Sequence, residues 1–129
     1  MGKRNTKETG QIGENLAAEF LERNNYRILE RNYCNRIGEI DIIAEDFGVL
    51  CFIEVKTRRS DNFGFGHEAI SRSKQRKIAQ TALIYLKVHK KTAGDSRFDS
   101  LSVMLNGAGE NPDMDLIKNA FELDRQYFL

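Results

Sequence analysis

Residues 38–59, GEIDIIAEDFGVLCFIEVKTRR, place two β-branched, strand-like runs on either side of a short turn, and that arrangement constrains the fold before the rest of the chain is considered. Strand side chains alternate faces with a period of two, so Glu54 and Lys56 project to one side and Val55 to the other. If Phe47 and Gly48 form a two-residue hairpin loop, Asp46 faces Val49 and, counting outward, Asp41 faces Glu54. A four-residue loop from Asp46 to Val49 keeps that register. A three-residue loop would move Asp41 opposite Ile53 and onto the other face. Both runs are otherwise apolar, and charges in such surroundings are costly unless paired or bound to metal.

Two converging carboxylates repel each other and raise one pKa, whereas a divalent cation between them restores both to the ionised form. Oxygen donors suit Mg²⁺ or Mn²⁺, and Mg²⁺ commonly takes one or two protein carboxylates and fills its octahedron with water and phosphate oxygens. Asp41, Glu54 and Lys56 are therefore expected to form a metal-dependent centre for phosphodiester hydrolysis. The cation would polarise a phosphoryl oxygen and lower the pKa of a bound water, and Lys56 would hold that water or stabilise charge developing on the phosphate. Glu-x-Lys alone equally describes a solvated face with a cross-strand ion pair, and it is Asp41 in the partner run that favours a site. Glu39 shares the face of Asp41 and is a candidate outer ligand, although the start of a strand also suits a surface residue.

With 129 residues, 40% of them apolar and 30% charged, the chain is expected to form one domain over 1–129, with residues 1–8 as a flexible basic arm. Pro112 is the only proline, and nothing resembles a linker or a repeat. Cys34 and Cys51 lack metal-ligand spacing and disulfide density, which reads as two half-buried thiols in a reducing compartment, the cytoplasm. No run of about 18 apolar residues occurs, so neither secretion nor membrane spanning is expected. Net charge is only +1, yet Arg72, Lys74, Arg76, Lys77, Lys87, Lys90 and Lys91 follow Ile70 without an acidic residue among them. Such a face suits phosphates, and it equally suits a solvated helix.

Periodicity predicts a helix over about Thr9–Asn24 carrying Ile12, Leu16 and Phe20, with Asn24-Asn25 as a left-handed cap. Glu14 shares a face with Ala18 and Leu21, which leaves two readings: a side chain pointing inward, or an acid complementing the helix dipole. Tyr26–Tyr33, Gly38–Glu45 and Val49–Thr57 read as an antiparallel meander, and Arg58–Gly66, with Phe63 and Phe65, as a loop after the site. A long helix is expected over His67–His89, then a strand over Arg97–Leu105 pairing in parallel through the crossover. Met114–Leu123 is expected to be a short strand plus helix. His67 and His89 have no partner at metal-ligand spacing, so a histidine-based catalytic centre is not supported.

These residues resemble a known family. Gly13-Glu14 with Ala17, Tyr26, Asn32, Gly38-Glu39-Ile40-Asp41, Phe52 to Lys56 with Arg58, Phe63-Gly64, Lys74 with Tyr85-Leu86, and Arg97-Phe98-Asp99 are similar to motifs of the YraN-like bacterial proteins. These are small predicted endonucleases of restriction-endonuclease-like fold, distantly similar to archaeal Holliday junction resolvases. The resemblance implies an α/β architecture in which a central mixed β-sheet is flanked by helices, in the order α-β-β-β-α-β with a short β/α tail. It also implies the PD-(D/E)xK nuclease pattern at Asp41, Glu54 and Lys56. By it, Asp41 and Glu54 bind Mg²⁺ or Mn²⁺, the Val55 carbonyl completes the shell, Lys56 assists the water, and Glu14 supports the ion or orients water. Lys56, Arg58, Arg59, Arg72, Lys74 and Lys77 would contact nucleic acid. Two residues depart from the pattern: Ile40 precedes Asp41 where proline is expected, and Asn25 stands where such proteins often have glycine. The activity implied is a DNA endonuclease acting on structured or damaged DNA, with a homodimer supplying two centres. The alternative is a nucleic-acid-binding module of the same fold that does not cut.

Overall fold

The computed structural model describes residues 6–59, 70–91, 96–106 and 111–122. Its elements are α1 (Thr6–Arg23), β1 (Arg27–Cys34), β2 (Glu39–Asp46), β3 (Val49–Arg59), α2 (Arg72–Val88), β4 (Ser96–Leu105) and β5 (Asp113–Phe121). The hairpin behaves as its sequence requires. Phe47 (φ 48°) and Gly48 (φ 85°) both adopt the left-handed conformation of a two-residue type I′ turn, which matches the twist of the flanking strands and pairs Asp46 with Val49.

One five-stranded sheet in the order β1-β2-β3-β4-β5 results. β1 to β3 form the antiparallel meander, α2 carries the chain across to β4 in parallel with β3, and β5 returns antiparallel along β4. The alternation of the central strands gives each helix an apolar face. Ala17, Ala18 and Leu21 of α1 pack with Ile42, Ala44, Cys51, Ile53 and Leu101, whereas Ile78, Ala79, Ala82, Tyr85 and Leu86 of α2 pack with Ile43, Leu50, Phe52 and Phe98. The mixed sheet flanked by helices is the expected architecture.

Several local expectations are corrected. Helix α1 begins at Thr6, so residues 6–8 are helical and do not belong to an arm; residues 1–5 lie outside the described residues. Its buried stripe is Gly13, Glu14, Ala17, Ala18 and Leu21, while Ile12, Leu16 and Phe20 are only half-buried. Small residues face the sheet because the helix lies so close to it. Asn25, at φ 68°, supplies the left-handed cap, and the Tyr26 N–H donates to the Leu21 carbonyl at 2.9 Å. Strand β3 runs on to Arg59, and the Phe63 and Phe65 loop lies outside the described residues. Helix α2 starts at Arg72 with Ser71 as its N-cap; residues 67–69, placed in that helix by periodicity, are also outside. Cys51 is buried, its thiol pushed up to about 12 chiefly by burial, whereas Cys34 is exposed. No described helix is long and apolar enough to cross a membrane.

The end of the chain departs furthest. Asp113–Phe121 is all strand, and any helical continuation beyond Glu122 lies outside the described residues. Val103 pairs with Met114 and Leu101 with Leu116, but Phe98 pairs with Phe121, so β5 gains two residues between Ile117 and Phe121. Asn119 takes a left-handed conformation in that bulge (φ 55°), and its backbone N–H donates to Asp99 Oδ1 at 2.9 Å.

Asp99 belongs to a buried ionic network absent from the sequence reading. Arg97 Nε donates to both Asp99 oxygens (2.9 and 3.2 Å), and Arg97 Nη2 donates to Asp46 Oδ2 (2.7 Å) and Tyr26 Oη (2.8 Å). Lys118 Nζ adds a second cation on Asp46 at 3.0 Å. The Arg97 hydrogen bond holds the Asp46 carboxyl below its ordinary range, while burial, and then Asp99, push the Tyr26 hydroxyl well above its own.

Candidate metal and phosphodiester site

Alternation along the hairpin decides where the carboxylates go. Residue pairs run from Asp46↔Val49 to Ile42↔Ile53, and the next pair outward would be Asp41 and Glu54. Regular pairing stops there. In an antiparallel ladder that starts from Asp46↔Val49, the Val55 N–H would reach the Ile40 carbonyl. It instead donates to Asp41 Oδ2 at 2.8 Å. A side-chain carboxylate thus substitutes for the backbone acceptor, which anchors Asp41 at the end of the β2–β3 pairing. On the other side, Arg31↔Ile42 and Tyr33↔Ile40 leave Asn32 opposite Asp41, and both residues line the same cavity.

Asp41 lines a cavity of about 550 Å³ between α1 and the sheet, with Glu14, Asn32, Glu39, Val55 and Thr57 around it and Lys7, Thr9, Gly10 and Gln11 from the start of the helix. Burial, then the neighbouring Glu54, push the Asp41 carboxyl up to about 7; the Val55 N–H opposes this and Glu14 adds to it. Glu54 is 9% exposed, and its Oε1 is ion-paired with Lys74 Nζ from α2. The expected pairing of Asp41 with Glu54 on one face is corrected: regular pairing ends at Ile42↔Ile53, where the Asp41 carboxylate takes the Val55 N–H, so Asp41 turns to the cavity beside α1 while the neighbouring Glu54 meets α2 on the other side of the sheet.

Glu14 points inward, as one of the two expectations had it. Its Oε1 accepts from Arg31 Nε and Nη2, both at 3.2 Å, and from Asn32 Nδ2 at 2.9 Å. Asn32 reaches it from a left-handed backbone (φ 53°) within β1, beyond a bulge between Ile28 and Glu30. Neither Arg31 nor Asn32 was singled out from spacing as a site residue. The only local signal was an asparagine inside a strand run, a residue type that tolerates this conformation. Gly13, immediately before Glu14, explains how the helix reaches this depth, because a Cβ there would overlap the Thr57 side chain and stand 2.7 Å from the Thr57 Cβ. Gly13→Ala is expected to force α1 away from β3 and lower stability by about 1–3 kcal/mol, measured by urea unfolding. An unchanged midpoint would show that the helix is not seated through this contact.

Among the basic residues assigned to nucleic acid, Lys74 is drawn into the centre, while Arg72 and Lys77 are exposed on α2. Lys56, Arg58 and Arg59 continue along β3, all half-buried, with Lys56 on the face of Glu54. Arg59 carries a buried Nη2 with no hydrogen-bond partner among the described residues.

A metal must be accommodated by this donor set. No group of three or more His, Cys, Asp or Glu side chains able to hold an ion occurs among the described residues. What the site offers is two adjacent carboxylates, one with a raised proton affinity that a cation would relieve, beside a polar cavity. That set fits Mg²⁺ or Mn²⁺, which complete their shells with water and phosphate oxygens, and does not fit an ion needing an all-protein cage.

The sequence model of the uncharacterised protein family UPF0102 matches residues 13–103, a span that runs from the glycine under Thr57 into β4. The chain belongs to UPF0102. A UPF0102 protein of Syntrophus aciditrophicus is 46% identical over 115 residues, covering 89% of this chain and 89% of the relative. UPF0102 proteins of Dictyoglomus thermophilum and Caldicellulosiruptor saccharolyticus are 43% and 44% identical over 117 residues, covering 91% of this chain and 99% of each relative. The matched span of this UPF0102 member contains Glu14, Asn32, Asp41, Glu54, Lys56 and Lys74 together.

Proposed function

We propose that the chain is a metal-dependent endonuclease that hydrolyses phosphodiester bonds, with DNA as its substrate and Asp41, Glu54 and Lys56 as its centre. The observation that carries this reading is Asp41 itself: a carboxylate held at the end of a strand pairing by the Val55 N–H, pressed against Glu54, and opening onto a cavity. Two acids so placed give a binding module no advantage with a polyanion, whereas they suit a divalent cation.

Asp41 and Glu54 would hold Mg²⁺ or Mn²⁺, with the Val55 carbonyl as a further oxygen donor. When bound, that cation supplies a Lewis acid and lowers the pKa of its water. Lys56 positions the attacking water or neutralises charge gathering on the phosphate. Glu14, fixed by Arg31 and Asn32, contributes negative charge that orients the water. Lys74, Arg58 and Arg59, with the exposed Arg72 and Lys77, provide cations for the DNA backbone. A pair of copies belongs to the same reading, since cutting both strands of a branched duplex takes two centres.

The ion pair between Glu54 and Lys74 favours a second reading, in which the acid is permanently neutralised and the protein binds nucleic acid without cutting. One experiment separates the two. Purified protein is incubated with plasmid, branched and single-stranded DNA in Mg²⁺, Mn²⁺ or EDTA, alongside Asp41→Ala and Lys56→Ala. The nuclease reading expects nicking that requires metal and falls about 10²–10⁴-fold in either variant. Nicking that is equal in wild type and variants would remove the proposed centre. DNA binding that survives EDTA and Asp41→Ala, with no cleavage of any substrate, would establish the binding module.

A further inference from the structure

The cation that meets Glu54 from across the fold comes from a helix. Lys74 lies in the first turn of α2, its backbone N–H donating to Ser71 Oγ at 3.2 Å, and its ammonium meets Glu54 Oε1. Helix electrostatics argue against that position. The positive end of the macrodipole disfavours a lysine by about 0.3–1 kcal/mol, and no acidic residue in the same turn offsets it. The partners are also unequal: the Lys74 side chain is 53% exposed, whereas that of Glu54 is 10% exposed. A carboxylate this enclosed needs a positive charge beside it, and a half-exposed ammonium on a flexible stem can leave at little cost.

We propose that Lys74 is an exchangeable counter-ion for Glu54, holding the carboxylate in the metal-free protein and giving it up when a divalent cation binds. The inference rests on the nuclease reading of Asp41 and Glu54. It adds that metal affinity is set by competition with the chain's own ammonium. Arginine would serve this purpose poorly, because its planar fork binds carboxylates bidentately, whereas lysine presents a compact charge that water can reclaim. The exchange involves no bond breaking; Glu54 trades one cation for another.

The competition has a sign that a supporting role would reverse. Mn²⁺ binding is measured by titration calorimetry on wild type, Lys74→Met, Lys77→Met and Asp41→Asn. Lys77→Met removes the same charge from an exposed position one turn along α2 and so reports the general electrostatic effect. Lys74→Met is expected to tighten Mn²⁺ binding about fivefold to tenfold, and Lys77→Met by no more than about twofold. With ¹⁵N-labelled lysine, the Lys74 ammonium resonance, assigned by its loss in Lys74→Met, is expected to shift or broaden as Mg²⁺ saturates the Asp41-dependent site. Thermal melts of Lys74→Met check that it folds.

Binding in Lys74→Met that is weaker than, or equal to, that in Lys77→Met overturns the exchange, as does an ammonium resonance unmoved by saturating Mg²⁺. If wild type binds neither ion, or binds equally in Asp41→Asn, the metal reading fails and the exchange fails with it. If wild type binds through Asp41 and Lys74→Met gains nothing, only the exchange is lost.

Discussion

Arg97→Ala is expected to destabilise the fold by about 3–5 kcal/mol, a large part of the 5–15 kcal/mol that holds a domain of this size together. The guanidinium serves two buried acids at once: Asp99, whose side chain is fully enclosed, and Asp46, whose side chain is 6% exposed. Without it, Asp99 retains neutral donors such as the Tyr26 hydroxyl and the Asn119 N–H, and Asp46 retains Lys118. An ionised carboxylate left so enclosed carries an uncompensated desolvation cost. The network also joins the end of β2, the start of β4 and the bulged part of β5, so all three should loosen together.

Urea unfolding followed by circular dichroism measures the loss, and Arg97→Ala combined with Asp99→Asn should recover part of it, because the charge left stranded is then gone. A midpoint within about 1 kcal/mol of wild type would show that the network is dispensable. The pH dependence has a definite sign. Asp46 is held below its ordinary range, so its contribution is present above the unfolded carboxylate pKa and is lost as pH falls through the depressed one. That acid-side loss should shrink in Arg97→Ala.

Asp41→Asn is expected to act in opposite directions on activity and on stability. Cleavage should fall about 10²–10⁴-fold, because the amide no longer offers the cation an ionised oxygen. Stability at pH 8 should rise. In the fold the Asp41 carboxyl is pushed up to about 7 from an ordinary 3.8, so between those values the folded protein binds more protons than the unfolded chain and stability declines as pH rises. Above pH 7 the whole cost is present, on the order of 2–4 kcal/mol. Asparagine avoids it and keeps an oxygen to accept the Val55 N–H.

Thermal unfolding from pH 4 to pH 8 should therefore show the variant's advantage growing with pH and nearly absent at pH 4. Saturating Mg²⁺ should raise the wild-type transition at pH 8 and leave the variant unmoved, since binding to the native state alone stabilises by mass action. A variant less stable than wild type at pH 8, and equally responsive to Mg²⁺, would place the cation elsewhere.

Much of the centre was legible because it lies in a hairpin. The turn at Phe47-Gly48 and the pairing as far as Ile42↔Ile53 follow from a period of two and a two-residue loop, both local properties, whereas the turning of Asp41 to the α1 side does not. Helical spacing with Ala18 and Leu21 offered the inward Glu14 as one of two readings, the other being an acid that complements the helix dipole. Lys74 was legible as a charge in a basic run and as part of the family resemblance, but its contact with Glu54 joins residues 20 positions apart through a crossover that spacing cannot measure. The same holds for Arg31 and Asn32 on Glu14, 17 and 18 residues away, and for Arg97 and Tyr26, separated by 71. Strand β5 was misread in its second half because MDLIKNAFEL contains apolar residues compatible with either period, and pairing with β4 decides between them.

The sequence by itself determined the hairpin, the two helices with their small or apolar stripes, and the presence of two carboxylates near the hairpin's open end. Each depends on dihedral preferences and periodicities that act over a few residues. Only the tertiary structure decided which cation meets Glu54, what holds Glu14, and how Asp46 and Asp99 are buried without penalty. Those outcomes depend on distances between elements, and such distances are set by the packing of two helices on a twisted sheet, not by any local run of residues.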